Sequence, residues 1–600
     1  MQLQLCDGVK KSWLEQRAAL IFLTALIFLY RPVMAAGFFT WSGITIFTEG
    51  LFVFLAMGFF LLRKETLSAI LKNTGWSIKV CVGILLLLGV LHWIAGGYHR
   101  PEYLGISLYW AIIPIFASAY RNDLERNLPK ALGFLWIFNV IVCIWTETYR
   151  AKMFGITGNW NWSAILMLVS FPFALRCVPL HCKGRKIYLA SMWIVTLMLM
   201  PYLQSRAAML SLVTAAAFWC FLRFRKFRLP MTVAGIILLA AGILVCKAFP
   251  DRVDAFLKNE IRVEIWKGTV NLIRDVPTGV GVVSFENSFI PYRTEEYFLH
   301  PHCSPRDDHP HNEFLYMAAT LGIAAPIAFL VWIIMAFVSA VREYDTGMMS
   351  RKRVLFLLCF VAVLCNSMLD LTMHVWPVGI LGLLFFGMFA FPGKRVPEII
   401  SDGPANRIGK TVIGFTVLLA AVNFAGTFCW DASHIFIARK NLPAAKKYAK
   451  TALLLTPEIP NQVYRSANEM LSRDAEFSMT LVERIQDSPW KDYAHIHGLK
   501  SLLYRQKGEY QKAVDESLRE AECFPLLIRP LFDVGSLYQA MGIKDFAPYI
   551  QINKELTARV NKRNLTPEQI QEILRNPVYD MHPERIGKIQ PPPLKRWELP

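Results

Sequence analysis

The chain has 600 residues, of which 54% are hydrophobic, and a formal net charge of +19. Its mean hydropathy of +0.36 is too high for an ordinary soluble protein of this size and indicates a membrane protein. Because much of the positive charge lies in loops between apolar segments, it indicates contact with an anionic lipid surface, and we expect no nucleic-acid partner.

Apolar segments long enough to cross a bilayer, which takes about 20 residues, follow one another from the N-terminus to residue 429. Several are short or adjoin a neighbour, so we expect about 12 to 13 spans in an all-α membrane helix bundle. In chain order the segments are 18–38, 42–62, 77–97, 103–120, 131–147, 162–178, 186–204, 207–222, 231–249, 311–340, 353–373, 375–392 and 410–429.

The loops between these segments alternate between basic and nearly uncharged. Basic loops, such as the one containing Arg223, Arg225 and Lys226, mark the cytosolic side because short cytosolic loops retain Lys and Arg. The pattern predicts a cytosolic N-terminus. It also predicts that the long loop 250–310 and the region after residue 430 lie on the outer side.

From Trp430 onward the sequence becomes polar and periodic. Turn motifs beginning at Asn441, Asp474, Gly508 and Gly542 recur at spacings of 33, 34 and 34 residues, and each precedes an amphipathic segment. This period resembles a tetratricopeptide repeat, in which stacked helix pairs share a core. A surface that binds a partner or acceptor and a cap that only stabilises the outer face both remain open for this region.

The sequence therefore divides into three parts. Residues 1–430 form a transmembrane domain that includes the outer loop 250–310, and residues 431–555 form helical repeats. Residues 556–600 end in a charged, proline-rich tail that we expect to be loosely ordered.

Four histidines and two aspartates form a cluster near the end of the outer loop. The six residues are His300, His302, Asp307, Asp308, His309 and His311. A divalent metal site, a polar loop and a general base are three interpretations of this cluster. Of the histidines, His311 is the best placed for a base, because Pro310 precedes it and an apolar segment begins at Phe314.

Two arginines are predicted to lie near the outer side, where the short loops hold few basic residues. Arg206 lies in a very short outer turn, and Arg262 lies four residues before Trp266, on the same face of a predicted helix. Either arginine is a surface residue or a fixed cation for an anionic substrate, since guanidinium matches phosphate geometry. Trp266 is typical of a membrane-interface anchor, and the turn at Gly279 and Gly281 is a weak phosphate-loop signal.

Taken together, these motifs resemble the bacterial superfamily of O-antigen ligases, O-antigen polymerases and protein O-oligosaccharyltransferases. The resemblance covers roughly residues 155–390, and the repeat tail is more similar to the oligosaccharyltransferase branch. The motifs are Gly158-Asn159-Trp160-Asn161, Ser205-Arg206, Arg262-Val-Glu-Ile-Trp266, Pro277-Thr-Gly279-Val-Gly281 and His311-Asn312.

One motif departs from the family pattern. Where the family often has His-Ser-x-x-Glu, this chain has Asn366-Ser-Met-Leu-Asp370, which keeps the negative charge on a shorter side chain and lacks the histidine. Asp370 and His374 are therefore secondary site candidates, and a polar cap at a helix end is the alternative.

The resemblance implies transfer of a glycan from undecaprenyl diphosphate to an acceptor hydroxyl at the periplasmic face of the bacterial inner membrane, with inversion at the anomeric carbon. His311 would be the base, and Arg206 and Arg262 would neutralise the diphosphate without a metal or another cofactor. Asn159 and Asn161, with Trp160, would line the sugar path or cap a helix. The remaining supporting residues are Asn312, Trp266, Gly279, Gly281, Asp370 and His309.

The sequence does not separate three acceptor classes, which are lipid A core, a growing polysaccharide and protein. The repeat tail favours a bulky acceptor, and hence a ligase or a protein transferase over a polymerase. Two alternatives belong to other functional classes. A membrane transporter or flippase would have ionisable residues in the middle of the membrane. A non-catalytic scaffold would be unaffected by His311→Ala.

Overall fold

A computed structural model of the chain describes most of the region from residue 74 to residue 580. The described residues are 74–95, 101–119, 121–150, 159–175, 187, 194, 205–248, 261–281, 284–300, 309–370, 372–375, 378–391, 422, 425–426, 428–455, 460–488, 490–576 and 580. The regular structure of these residues is entirely helical, which confirms the all-α fold class.

The chain forms two compact units, each built from two separate stretches of sequence. The first unit combines Met1–Ile243 with His311–Phe424, and the second combines Leu244–Pro310 with Ala425–Pro600. The predicted outer loop therefore groups with the C-terminal helices, whereas hydropathy places it with the spans. Hydropathy detects lipid-facing segments and does not report which polar segments pack together.

The helices that begin in the first unit follow the predicted spans. They are α1 (Trp76–Ala95), α2 (Pro101–Ala119), α3 (Arg121–Arg150), α4 (Trp160–Ala174), α5 (Arg206–Arg223), a 3₁₀ helix (Arg225–Phe227), α6 (Arg228–Ala248), and then, after the outer loop, α10 (Glu313–Leu321), α11 (Ala324–Asp345), α12 (Arg351–Ser367) and α13 (Val378–Gly387). Among the described helices, α5 and α11 are long and apolar enough to cross a membrane. The predicted spans 18–38, 42–62, 186–204 and 410–429 lie outside the described residues, apart from isolated positions.

One predicted span is wrong as a single helix. The segment 311–340 is two helices, because α10 ends at Leu321 and α11 begins at Ala324. Gly322, between them, has a φ of 91°, a conformation that glycine adopts without steric cost. A uniformly apolar segment carries no hydropathy signal for such a break.

The close approach of α13 to neighbouring backbone depends on two glycines. A Cβ on Gly379 would lie 1.8 Å from the carbonyl oxygen of Met373, and one on Gly387 would lie 2.5 Å from the carbonyl oxygen of Pro114. Both distances are far below van der Waals contact. The glycines therefore let α13 approach the neighbouring backbone, and they fix the position of the segment just before α13.

The second unit contains the outer loop and the C-terminal helices. In the loop are α7 (Ile261–Asp275), α8 (Phe285–Ser288), a 3₁₀ helix (Ile290–Tyr292) and α9 (Glu295–Leu299). After the helical residues 428–438 come α14 (Leu442–Leu455), α15 (Pro460–Met470), α16 (Ala475–Gln486), α17 (Ile496–Gln506), α18 (Tyr510–Cys523), α19 (Arg529–Ala540), α20 (Phe546–Arg563) and α21 (Pro567–Arg575).

The C-terminal helices form hairpins that repeat a hydrogen bond. The Ser433 hydroxyl donates to the carbonyl of Ala445 at 3.0 Å, and 68 residues later the Ser501 hydroxyl donates to the carbonyl of Ala513 at 2.8 Å. Sixty-eight residues are two of the 34-residue periods read from the sequence. Small side chains at these positions let the two helices of a hairpin pack closely.

Two features connect distant parts of the second unit. Phe524, after α18, contacts the loop residue Arg293, whose guanidinium carbon lies 5.6 Å from the ring centre. The backbone N–H of Asp492 donates to Asn287 at 3.3 Å.

The described part of the segment 556–600, predicted to be loosely ordered, is mostly helical. There Asp580 accepts from the backbone N–H groups of residues 528 and 529 and pairs with Arg563.

Candidate active site

The candidate base, His311, has an uncommon backbone conformation. Its φ is 51°, in the left-handed region that few non-glycine residues occupy, and such residues concentrate at functional sites. Its Nδ1 lies 3.1 Å from Oδ1 of Asp370, with side-chain exposures of 29% for His311 and 3% for Asp370. An accessible imidazole therefore faces a buried carboxylate, and Asp370, a secondary candidate from the sequence, belongs to the site.

Asn312 fixes the start of α10 directly after His311. Its side-chain oxygen accepts from the backbone N–H groups of Phe314 and Leu315 at 3.0 and 3.1 Å, as an N-cap residue does. Its amide nitrogen donates to the carbonyl of Met368 at 2.9 Å. One side chain thus connects the helix start beside His311 to the turn that carries Asp370.

Glu313 holds the segment after Asp370 and was not predicted as a site residue. Its Oε1 accepts from the backbone N–H groups of Met373 and His374 at 2.6 and 3.1 Å, and its Oε2 lies 2.6 Å from Nδ1 of His374. Both side chains are buried. A Glu in the first turn of a helix is usually explained by the helix dipole, so no sequence signal points to a partner 60 residues away.

Aromatic side chains enclose His374. Its ring centre lies 4.5 Å from that of Tyr316 and 5.3 Å from that of Trp110, both edge-on. The Tyr109 hydroxyl donates to the carbonyl of Met373 at 2.6 Å. His374, the other secondary candidate, is therefore a buried partner of Glu313 and does not contact the His311 ring in any described interaction.

Arg206 is the first residue of α5, and its side chain is exposed. The hydroxyl of buried Ser205 accepts from the backbone N–H of Ala208 at 3.2 Å, which explains why the Ser-Arg pair starts the helix. Arg206 belongs to the same unit as His311. Its guanidinium is thus presented at a helix N-terminus, as the sequence predicts.

The helix α7 contains Arg262 and Trp266 and belongs to the other unit. Arg262 is half-buried, and the indole N–H of Trp266 donates to the carbonyl of Pro310 at 2.7 Å. Pro310 is the residue before His311. The helix that carries Arg262 is therefore attached to the chain immediately before the candidate base, while the interfacial role expected for Trp266 stays a prediction.

The predicted glycine turn follows α7. Gly279 and Gly281 have φ angles of 87° and 94°, and the backbone N–H of Gly279 donates to the carbonyl of Val276 at 3.0 Å. These values confirm that glycine is needed for the chain to turn here. The sequence motif and the backbone geometry agree. The phosphate-loop role of this turn stays a prediction.

The Asn-Trp-Asn motif begins α4. The Asn159 side chain accepts from the backbone N–H of Asn161 at 2.8 Å and so caps the helix, one of the two alternatives for this residue. Trp160 is 40% exposed.

In the histidine cluster, His300 is buried and His309 is half-buried, whereas His302, Asp307 and Asp308 lie outside the described residues.

A group of potential metal ligands lies in the C-terminal part of the chain. Ligand atoms of Asp492, His497 and Cys523 all lie within 4.8 Å of one another. Both ring nitrogens of His497 contact carboxylates, however, with Asp492 at 2.8 Å and Glu516 at 2.6 Å. The group is a half-buried ion-pair cluster around His497, and its geometry is explained without a metal.

One known protein family matches part of this chain. Residues 190–330 match the family described as O-Antigen ligase, and this segment contains Arg206, Arg262 and His311. The match covers well under half of the chain, and no curated protein matches it.

This match supports a relationship to the O-antigen ligase superfamily, whose members are membrane proteins. The family match supports a glycosyltransferase activity of the ligase or polymerase type in general.

Proposed function

We propose that the protein transfers a glycan from undecaprenyl diphosphate to an acceptor hydroxyl at the periplasmic face of the bacterial inner membrane. The observation that carries the proposal is the pair formed by His311 and Asp370. An accessible imidazole with a buried carboxylate on one nitrogen is the arrangement of a general base.

In the proposed reaction the acceptor oxygen attacks the anomeric carbon, and the bond from that carbon to the diphosphate oxygen breaks. The acceptor proton moves to Nε2 of His311, because Nδ1 faces Asp370. The electron pair of the broken bond stays on the diphosphate. Attack opposite the leaving group inverts the configuration at the anomeric carbon.

Arg206 and Arg262 neutralise the charge that grows on the departing diphosphate. Guanidinium groups donate two parallel hydrogen bonds to phosphate oxygens, so they are suited to this role in place of a metal ion. Arg206 stands at the start of α5 and Arg262 on the helix attached to Pro310. The proposal requires the two guanidinium groups to meet near His311 when substrate is bound.

We further propose that the C-terminal hairpins, as tetratricopeptide-like repeats, bind a bulky acceptor such as lipid A core or a protein. The recurring bonds from Ser433 and Ser501 support the repeat, and the contact of Phe524 with Arg293 connects the hairpins to the loop that carries Arg262.

The test is complementation in the native host. A deletion strain carries wild-type protein, His311→Ala or His311→Gln, and lipopolysaccharide and glycoproteins are compared on the same gels. Loss of long-chain lipopolysaccharide indicates a ligase, accumulation of single repeats a polymerase, and loss of glycoprotein bands a protein transferase. Normal patterns with both variants would refute the catalytic role of His311.

A further inference from the structure

A basic cavity lies at the end of α5 opposite Arg206. It has a volume of about 520 Å³ and is lined by Arg223, Phe224, Arg225, Lys226, Phe227 and Tyr344. Arg206 and Arg223 are the first and last residues of α5, about 26 Å apart at 1.5 Å per residue. The cavity is therefore on the other side of the first unit from the proposed reaction, on the side that the charge pattern predicts to be cytosolic.

The charge of this cavity is not neutralised by the protein. Arg223 and Lys226 are exposed and form no ion pair or hydrogen bond through their side chains within the described part of the chain. The carboxylate of Asp345, next to Tyr344, is already held by Arg228 through both oxygens at 2.6 and 2.7 Å. It also pairs with Arg225 at 3.0 Å. Two cations thus remain for a ligand.

Exposed aromatic side chains alternate with these cations. Phe224 and Phe227 are 50% and 59% exposed, although each stands within a basic sequence at the end of a candidate span. Phenylalanine left in water is unfavourable, whereas at a bilayer surface its ring enters the acyl region while Arg and Lys reach the phosphates. This alternation fits a phospholipid, with a phosphate in the cavity and chains beside the rings.

We propose that this cavity binds the headgroup of an anionic phospholipid of the cytosolic leaflet. Its volume is in the range of ligand sites, roughly 300–1,000 Å³. Basic pockets between transmembrane helices at this membrane face are suited to anionic headgroups. The site is independent of the proposed transfer reaction, which takes place at the other end of α5.

The test uses full-length protein in neutral detergent, titrated with dioleoyl phosphatidylglycerol or dioleoyl phosphatidylcholine and followed by native mass spectrometry. Wild-type protein is expected to bind the anionic lipid about tenfold or more tightly than the zwitterionic one. Arg223→Gln with Lys226→Gln is expected to weaken anionic lipid binding by about 30-fold, since each basic residue contributes roughly fivefold.

Arg342→Gln with Arg351→Gln is the matched control, because it removes two exposed cations near the same end of the bundle outside the cavity. It is expected to bind like wild type. If the double variant does not fold, as judged by thermal unfolding, Lys226→Gln alone is expected to lose about fivefold.

Three results would overturn the proposal. Equal losses in the cavity variant and the control would mean that overall charge attracts the lipid. Equal binding of the two lipids would exclude an anionic headgroup. Inorganic phosphate that displaces the lipid at the same concentration would identify a site for the free anion.

Discussion

The indole of Trp266 donates a hydrogen bond of 2.7 Å to the carbonyl of Pro310, 44 residues away and immediately before His311. This bond attaches the helix that carries Arg262 to the residue immediately before the candidate base. Trp266 and Pro310 are far apart in sequence and belong to the same compact unit.

Trp266→Phe keeps an aromatic ring and removes only this hydrogen bond. A single neutral hydrogen bond contributes about 0.5–1.5 kcal/mol, so we expect the turnover rate to fall about three- to tenfold. The measurement is the transfer rate of purified protein at saturating donor. Trp76→Phe, at a tryptophan that is 75% exposed, is the control and should leave the rate unchanged. A Trp266→Phe enzyme as fast as wild type would show that the bond has no part in positioning.

Asp370→Asn removes the negative charge that faces His311 and keeps the side-chain size. A carboxylate stabilises the imidazolium that forms when histidine takes a proton and also sets its tautomer. We expect the chemical step to slow by about 10²- to 10⁴-fold, and Asp370→Glu to recover part of this loss. Single-turnover kinetics measure the step directly. A rate within a factor of three of wild type in Asp370→Asn would contradict the paired arrangement.

Glu313→Ala leaves two backbone N–H groups and His374 without their partner in a buried position. Leaving a buried hydrogen-bonding group without its partner costs about 1–3 kcal/mol, so this variant should unfold at a clearly lower temperature than wild type. Glu313→Gln retains an acceptor oxygen and should lose less. Thermal unfolding in detergent is the measurement, with Glu296→Gln, at an exposed glutamate, as the control. Unchanged stability in Glu313→Ala would refute the structural role.

Features that depend on neighbouring residues were predictable from the sequence. The turn at Gly279 and Gly281, the helix start at Asn312 and the hairpin turns at Gly508 and Gly542 all follow local backbone rules, and the structure has them. The pairing of Glu313 with His374 was not predictable, because a single sequence contains no signal for two polar residues that meet across 61 positions. The break at Gly322 was missed because a glycine within an apolar segment is also tolerated in a continuous helix.

The C-terminal hairpins contain a pH-dependent cluster around His497. Burial alone would lower the pKa of His497, but its hydrogen bonds to Asp492 and Glu516 raise the pKa above its ordinary value of 6.5. The hydrogen bond from His497 lowers the pKa of Asp492. Burial alone would raise the pKa of Glu516, but the hydrogen bonds from His497 and Lys500 lower it below its ordinary 4.5.

The direction of the pH dependence follows from these shifts. The raised pKa of His497 stabilises the folded state fully below pH 6.5. This stabilisation is lost as the pH rises through the folded-state pKa. The lowered pKa values of Asp492 and Glu516 stabilise the folded state when the pH is above the ordinary carboxyl pKa values. This stabilisation is lost as the pH falls through the folded-state pKa values. The cluster should therefore stabilise the hairpin most between pH 4.5 and 6.5.

Hydrogen exchange of α17 in the full-length protein, corrected for the intrinsic effect of pH, measures this dependence. Protection should decrease from pH 6 to pH 9 in wild type, and His497→Gln should remove most of that decrease. His434→Gln, at a histidine paired with Glu469 in another hairpin, should leave it in place. Equal pH dependence in wild type and His497→Gln would refute the cluster as its origin.

The most direct test of the catalytic account is the transfer rate of purified His311→Ala with an undecaprenyl-diphosphate glycan and the acceptor identified in the native host. Removing the general base and the site of proton transfer should slow turnover by about 10²- to 10⁴-fold while donor binding changes little. A His311→Ala protein that binds donor normally and retains more than about a tenth of the wild-type rate would contradict the assignment of His311 as the base.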